Sequence, residues 1–75
     1  MILLADTVKR IVELGGNIDI CEEGYLPVTL EEIVEIAKKS GAHITIESSN
    51  YLAETLKRLV SIGGNSVTIR IKKNN

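Results

Sequence analysis

One segment that occurs twice constrains the fold of this chain more than any other feature. Residues 4–17 read LADTVKRIVELGGN and residues 52–65 read LAETLKRLVSIGGN, so that nine of fourteen positions are identical. A more divergent copy, LEEIVEIAKKSGAH, lies between them at 30–43. A short run in which apolar and polar residues alternate follows each copy, at 18–20, 44–46 and 67–71. Such a period predicts three similar units, each a helix followed by a strand.

Each copy places its apolar residues at helical spacing, which predicts an amphipathic helix with one buried stripe. The predicted stripes are Leu4, Val8, Ile11 and Val12, then Leu30, Ile33, Val34 and Ala37, then Leu52, Leu56, Leu59 and Val60. Glycine follows each stripe and predicts the helix ends. Thr29 and Glu32 form the pattern of a capping box for the second helix, and Asn50 is the predicted cap of the third.

Strands that are joined through helices run parallel, and right-handed crossovers make successive strands neighbours. We therefore expect an α/β fold with a three-stranded parallel sheet of order 1-2-3 and all helices on one face. The units would span 4–27, 28–49 and 50–73 of a single domain, 1–75, as an open-faced, two-layer, solenoid-like stack. The second face of the sheet would carry the polar residues of the strands. These are Asp19, Cys21, Thr45, Glu47, Thr68 and Arg70. The candidate interaction residues are four of them, Asp19, Cys21, Glu47 and Arg70, together with Met1, Ile2 and Leu3.

This alternation resembles the helix-containing leucine-rich repeats. The spacing of the units is similar, and Ile44-Thr45-Ile46 looks like the start of that family's strand signature. The resemblance covers the whole chain and implies binding to protein partners through the open face of the sheet.

The composition and the charge balance exclude several classes of protein. Nine basic and ten acidic side chains leave no excess that would attract nucleic acid, and two tyrosines are too few for base stacking. No apolar run approaches the roughly 20 residues of a membrane span. One cysteine, Cys21, and one histidine, His43, make neither an internal disulfide nor a structural zinc site. We expect a cytoplasmic, membrane-free protein without a cofactor or metal.

Four groups of residues are candidate sites. Cys21 and His43 have the chemistry of a nucleophile and a base, but we expect them at opposite ends of their strands and assign no catalytic residue. Ser48, Ser49 and Asn50 precede a helix N-terminus, where an anion could bind. Glu47 and Arg70 on neighbouring strands could form an exposed ion pair. The basic pairs 9–10, 38–39 and 57–58 could align into a strip that contacts phosphates.

The function that we expect is a small, non-enzymatic protein-binding or self-assembly module. The alternatives are a nucleic-acid-binding accessory that uses the basic strip and a protein that sequesters a small anion. Neither terminal unit looks like a polar cap, so we expect a homodimer or a higher homo-oligomer. A two-fold contact would centre on the first helix and strand with Met1, Ile2 and Leu3, and the competing arrangement is head-to-tail. Another protein as partner stays open.

Overall fold

Helices and strands alternate along the chain. A computed structural model describes residues 4–21 and 24–71. The elements are α1 (Ala5–Glu13), β1 (Ile18–Ile20), α2 (Pro27–Ser40), β2 (Ile44–Glu47), α3 (Ala53–Gly63) and β3 (Val67–Arg70). Short 3-10 helices, Ser48–Asn50 and Gly64–Ser66, follow β2 and α3. The strands form one parallel sheet of order β1-β2-β3. The predicted α/β fold with three helices and a three-stranded parallel sheet is therefore confirmed.

The register of the sheet aligns equivalent positions of the units. Ile44 of β2 pairs with Ile18 of β1 on one side and with Val67 of β3 on the other. Two residues further along, Ile46 pairs with Ile20 and Ile69. Because side chains alternate between the faces of a strand, these residues share one apolar face.

The helix starts differ from the predicted caps. A leucine in extended conformation precedes each helix of the described chain as its N-cap, without a capping side chain: Leu4, Leu26 and Leu52. Thr29 lies inside the first turn of α2, because Pro27 opens that helix, having a suitable φ and no amide hydrogen to satisfy. Asn50 ends a 3-10 helix two residues before the N-cap of α3. Both predicted caps are wrong.

The end of α1 is built by its two glycines. The Gly16 amide donates to the Ile11 carbonyl at 3.0 Å and the Gly15 amide donates to the Val12 carbonyl at 2.9 Å, the bonds of a Schellman motif. Gly15 has a φ of 92°, which a side chain would strain. A Cβ on Gly16 would lie only 2.8 Å from Ile11 Cγ2. The double glycine therefore turns the chain tightly from α1 into β1.

The core is built from apolar residues of the helices and of the sheet. It consists of Val8, Val12, Ile20, Leu30, Ile33, Val34, Ala37, Ala42, Ile44, Ile46 and Leu59. The α2 stripe is confirmed in full. The predicted burial of Leu4, Leu52 and Val60 is wrong, because all three side chains are exposed. Ile71, expected in the third strand, follows β3 and is also exposed. The two leucines precede their helices and so lie off the stripes, and Val60 lies on a side of α3 that the other described elements do not cover.

Two leucines of the third unit allow a matched test of this core. Leu59 is 0% exposed whereas Leu52 is 77% exposed. Leu59→Ala should lower the free energy of unfolding by about 2–5 kcal/mol, because truncation leaves a cavity. Leu52→Ala should change it by less than about 0.5 kcal/mol. Urea denaturation at one protein concentration compares the two variants, and equal losses would contradict the assigned core.

The close approach of α3 to its neighbours gives a second prediction. A Cβ on Gly63 would overlap Val34 Cγ1 of α2 and Val67 Cγ2 of β3. Gly63→Ala should therefore destabilise the fold by about 1–3 kcal/mol, even though alanine favours helix. Gly24→Ala is the control, since a Cβ there meets no heavy atom within 4 Å. A stabilised Gly63→Ala protein in thermal or urea denaturation would contradict the packing.

Candidate functional site

The second face of the sheet carries a small polar cluster. Asp19 lies on β1, Cys21 directly follows β1, and Arg70 lies on β3. All three residues are exposed. Arg70 Nη2 forms an ion pair with Asp19 Oδ1, across β2, and lies 3.6 Å from Cys21 Sγ. The Asp19 carboxylate raises the pKa of the Arg70 guanidinium above its usual value. Three of the predicted interaction residues are therefore brought together.

The fourth, Glu47, makes a different contact. Glu47 and Arg70 are partners in the register of the sheet, as expected. The carboxylate of Glu47 accepts hydrogen bonds from the Ser49 amide at 3.0 Å and from Ser49 Oγ at 2.5 Å. The ion pair of Arg70 goes to Asp19 instead. The other predicted interaction residues, Met1, Ile2 and Leu3, lie outside the described residues.

The same contact of Glu47 bears on the predicted anion site at Ser48, Ser49 and Asn50. Ser48–Asn50 forms a 3-10 helix whose N-cap is Glu47. A carboxylate therefore already accepts from the Ser49 amide and hydroxyl, the donors that an anion would need. Its negative charge would repel a second anion. The arrangement favours a capped turn over an anion site.

Cys21 and His43 have separate partners. His43 Nε2 lies 2.5 Å from Thr68 Oγ1 on β3, and the His43 amide donates to Asn17 Oδ1 at 2.8 Å. Cys21 Sγ lies 3.4 Å from Asp19 Oδ1. The imidazole thus links β2 to β3 at the start of the strands, while the thiol lies at the end of β1.

The described residues form neither a metal-binding cluster nor a membrane span. Among 4–21 and 24–71, no three His, Cys, Asp or Glu side chains are placed to hold a metal ion. Within the same ranges, no helix has the length and apolar character that crossing a membrane requires.

The basic side chains of the helices face acidic ones. Two ion pairs connect neighbouring helices: Lys9 Nζ to Glu32 Oε1 at 2.7 Å and Arg58 Nε to Glu31 Oε2 at 2.9 Å. The hydrogen bond to Glu32 raises the pKa of the Lys9 ammonium. Three further pairs lie within single helices: Arg10 with Glu13, Lys39 with Glu35 and Lys57 with Glu54. The predicted basic strip is therefore interleaved with carboxylates.

An apolar groove lies along the third unit. It has a volume of about 340 Å³ and is lined by Leu56, Lys57, Val60 and Ile69. We call it the terminal groove. Val60 is 41% exposed, and Leu56 and Ile69 are half-buried. These apolar side chains of α3 and β3 are therefore only partly covered.

The repeat explains where the terminal groove comes from. In the repeated segment Leu56, Lys57 and Val60 are equivalent to Val8, Lys9 and Val12. Ile69 corresponds to Ile20 in the register of the sheet, because both pair with Ile46. In the first unit Val8, Val12 and Ile20 are at most 3% exposed. The sequence analysis placed no site at the terminal groove. The signal that could have found it is the alignment of the copies, because it makes the helix residues of the groove equivalent to core residues of the first unit.

Comparisons with models of known protein families, with curated proteins and with solved structures find no match to this chain.

The contact between His43 and Thr68 is open to a direct test. Thr68→Val keeps the shape and the β-propensity of the side chain but removes its hydroxyl, so it should cost about 0.5–1 kcal/mol. Thr45→Val on the same face of β2 is the matched control and should be nearly neutral. Urea denaturation near neutral pH measures both variants, and a larger loss for Thr45→Val would contradict the assigned contact.

Proposed function

We propose that this chain is a small, non-enzymatic, cytoplasmic module that acts by binding protein, in the first place other copies of itself. In this proposal the three units form a short solenoid-like stack with all helices on one face of the sheet. The two ends of the stack are then its binding surfaces. The second face of the sheet is open to solvent.

The dimensions of the molecule support the two-layer arrangement. Its smallest extent is 19 Å. A helix with its side chains is about 10–12 Å across, so one helix layer and one sheet fit within this thickness, whereas a second helix layer would exceed it. Burial agrees, because Ile44 and Ile46 are fully buried while Thr68 and Arg70 on the second face are exposed.

The terminal groove is the observation that carries the proposed binding function. A chain of this size buries a small fraction of its surface and gains little stability from its own core. Even so, it leaves the apolar side chains of Leu56, Val60 and Ile69 incompletely covered beside an edge strand. An uncovered apolar groove next to an unpaired strand edge favours association with another polypeptide.

The alternative functions have less support. Carboxylates interleave with the basic residues of the helices, which weakens the attraction for phosphates that nucleic-acid binding needs. Glu47 accepts from the donors of the Ser48–Asn50 turn, which argues against an anion-sequestering protein. Cys21 and His43 contact different partners, which argues against a nucleophile–base pair. An exposed free thiol at Cys21 fits a reducing compartment.

Sedimentation equilibrium and thermal melting over a range of micromolar concentrations test the proposal. We expect a mass above the 8.2 kDa of the chain and a Tm that rises with concentration. Val60→Glu should weaken association at least tenfold, because it puts a charge into the terminal groove. Ser61→Glu adds the same charge at the next, exposed position and should leave association unchanged. An 8.2 kDa monomer with a constant Tm would overturn the proposal.

A further inference from the structure

We propose that the terminal groove binds the first unit of a second copy of this chain, so that copies join head-to-tail and continue the stack of units. This inference rests on the proposed self-association and adds the partner surface and the polarity of the contact. It differs from a two-fold contact in that two unlike surfaces meet. The contact inside the chain between the first and second units serves as the template.

Equivalent positions of α1 and α3 would face the same direction along the proposed stack. Val8 and Val12 of α1 are covered by the second unit. Leu56 and Val60 occupy the same positions in α3, pointing where a fourth unit would lie. The side of α3 that would meet a following unit is therefore the side that α1 already uses. A helix-and-strand unit of the same kind has the shape to cover it.

The first unit carries the apolar side chains that would cover the terminal groove. Leu59 and Ile62 of α3 pack back towards the second unit, Leu59 being fully buried. Their equivalents in α1 are Ile11, which is half-buried, and Leu14, which is 71% exposed. Ser40, the equivalent of Leu14 in α2, donates from Oγ to the Val12 carbonyl at 2.7 Å. By this equivalence Leu14 of a second copy would lie over Val60.

Charged residues at the two ends also complement each other. Lys9 of α1 pairs with Glu32 of the following helix at 2.7 Å, and its side chain is 26% exposed. Lys57 is its equivalent, and the side chain of Lys57 is 75% exposed. The position of Glu32 corresponds to Asp6 in α1, which is exposed. Lys57 of one copy would therefore meet Asp6 of the next, an opposite charge at the position where the template has one.

The two edge strands of the sheet could pair between copies. β1 and β3 are the edge strands of the order β1-β2-β3, and Ile18 and Val67 align through Ile44. A second copy whose β1 lies beside β3 would continue the parallel pairing and the apolar face together. A contact between unlike ends repeats, so it produces rings or open chains of copies rather than stopping at two.

Two complementary variants test the polarity of the contact. Val60→Glu blocks the terminal groove and leaves the first unit intact, whereas Leu14→Glu blocks the first unit and leaves the groove intact. Both side chains are exposed, so each variant should stay folded, with the urea midpoint that the wild-type chain has at concentrations too low for association. We expect each variant alone to sediment as a monomer. Their equimolar mixture should form a dimer of twice the 8.2 kDa chain mass, since one intact contact remains.

A mixture that stays monomeric while the wild-type chain associates would overturn the head-to-tail contact and leave the proposed self-association standing. A wild-type chain that is monomeric at all concentrations would overturn both. If either glutamate variant is unfolded, Lys57→Glu and Asp6→Lys replace them. Each alone should weaken association at least threefold, and the double variant should recover most of the loss. Additive losses in the double variant would overturn the inference.

Discussion

The burial of the second unit between the other two is the constraint on which the rest of the structure depends. Within residues 4–21 and 24–71, seven of the eleven buried apolar residues belong to that unit, from Leu30 in α2 to Ile46 in β2. The outer units contribute four, each pointing towards the centre. A 75-residue chain has a small core and a low free energy of unfolding. Its stability therefore depends on the second unit being covered from both sides.

The same constraint decides how much of each apolar stripe is covered. A unit in the middle has its apolar stripe covered in both directions, whereas a unit at an end has it covered in one. Val12 and Val60 illustrate the consequence, because identical residues at equivalent positions are 0% and 41% exposed. The exposed apolar surface at Val60 thus belongs to a stripe that is covered in the first unit. It is also the physical basis for the proposed self-association.

Charges complement this apolar pattern. Ion pairs from α1 and α3 converge on neighbouring glutamates of α2, Glu32 and Glu31, at the position where the helices lie side by side. Exposed pairs of this kind contribute little to stability, but they favour one register of the helices over others. The second face of the sheet is held similarly, by Arg70 reaching Asp19 across the middle strand.

The sequence by itself determined the number, type and order of the elements. Helical spacing and alternation are local patterns, and the long links between strands leave a parallel sheet as the simple solution. The α2 stripe was predictable because it is covered on both sides. Tertiary structure alone decided which residues of the outer stripes are buried, since Leu59 and Val60 are neighbours in one helix and differ only in which side has a partner. It also decided the helix starts and the partner of Arg70, because Pro27 competes with Thr29 and a long guanidinium can reach past the nearest strand.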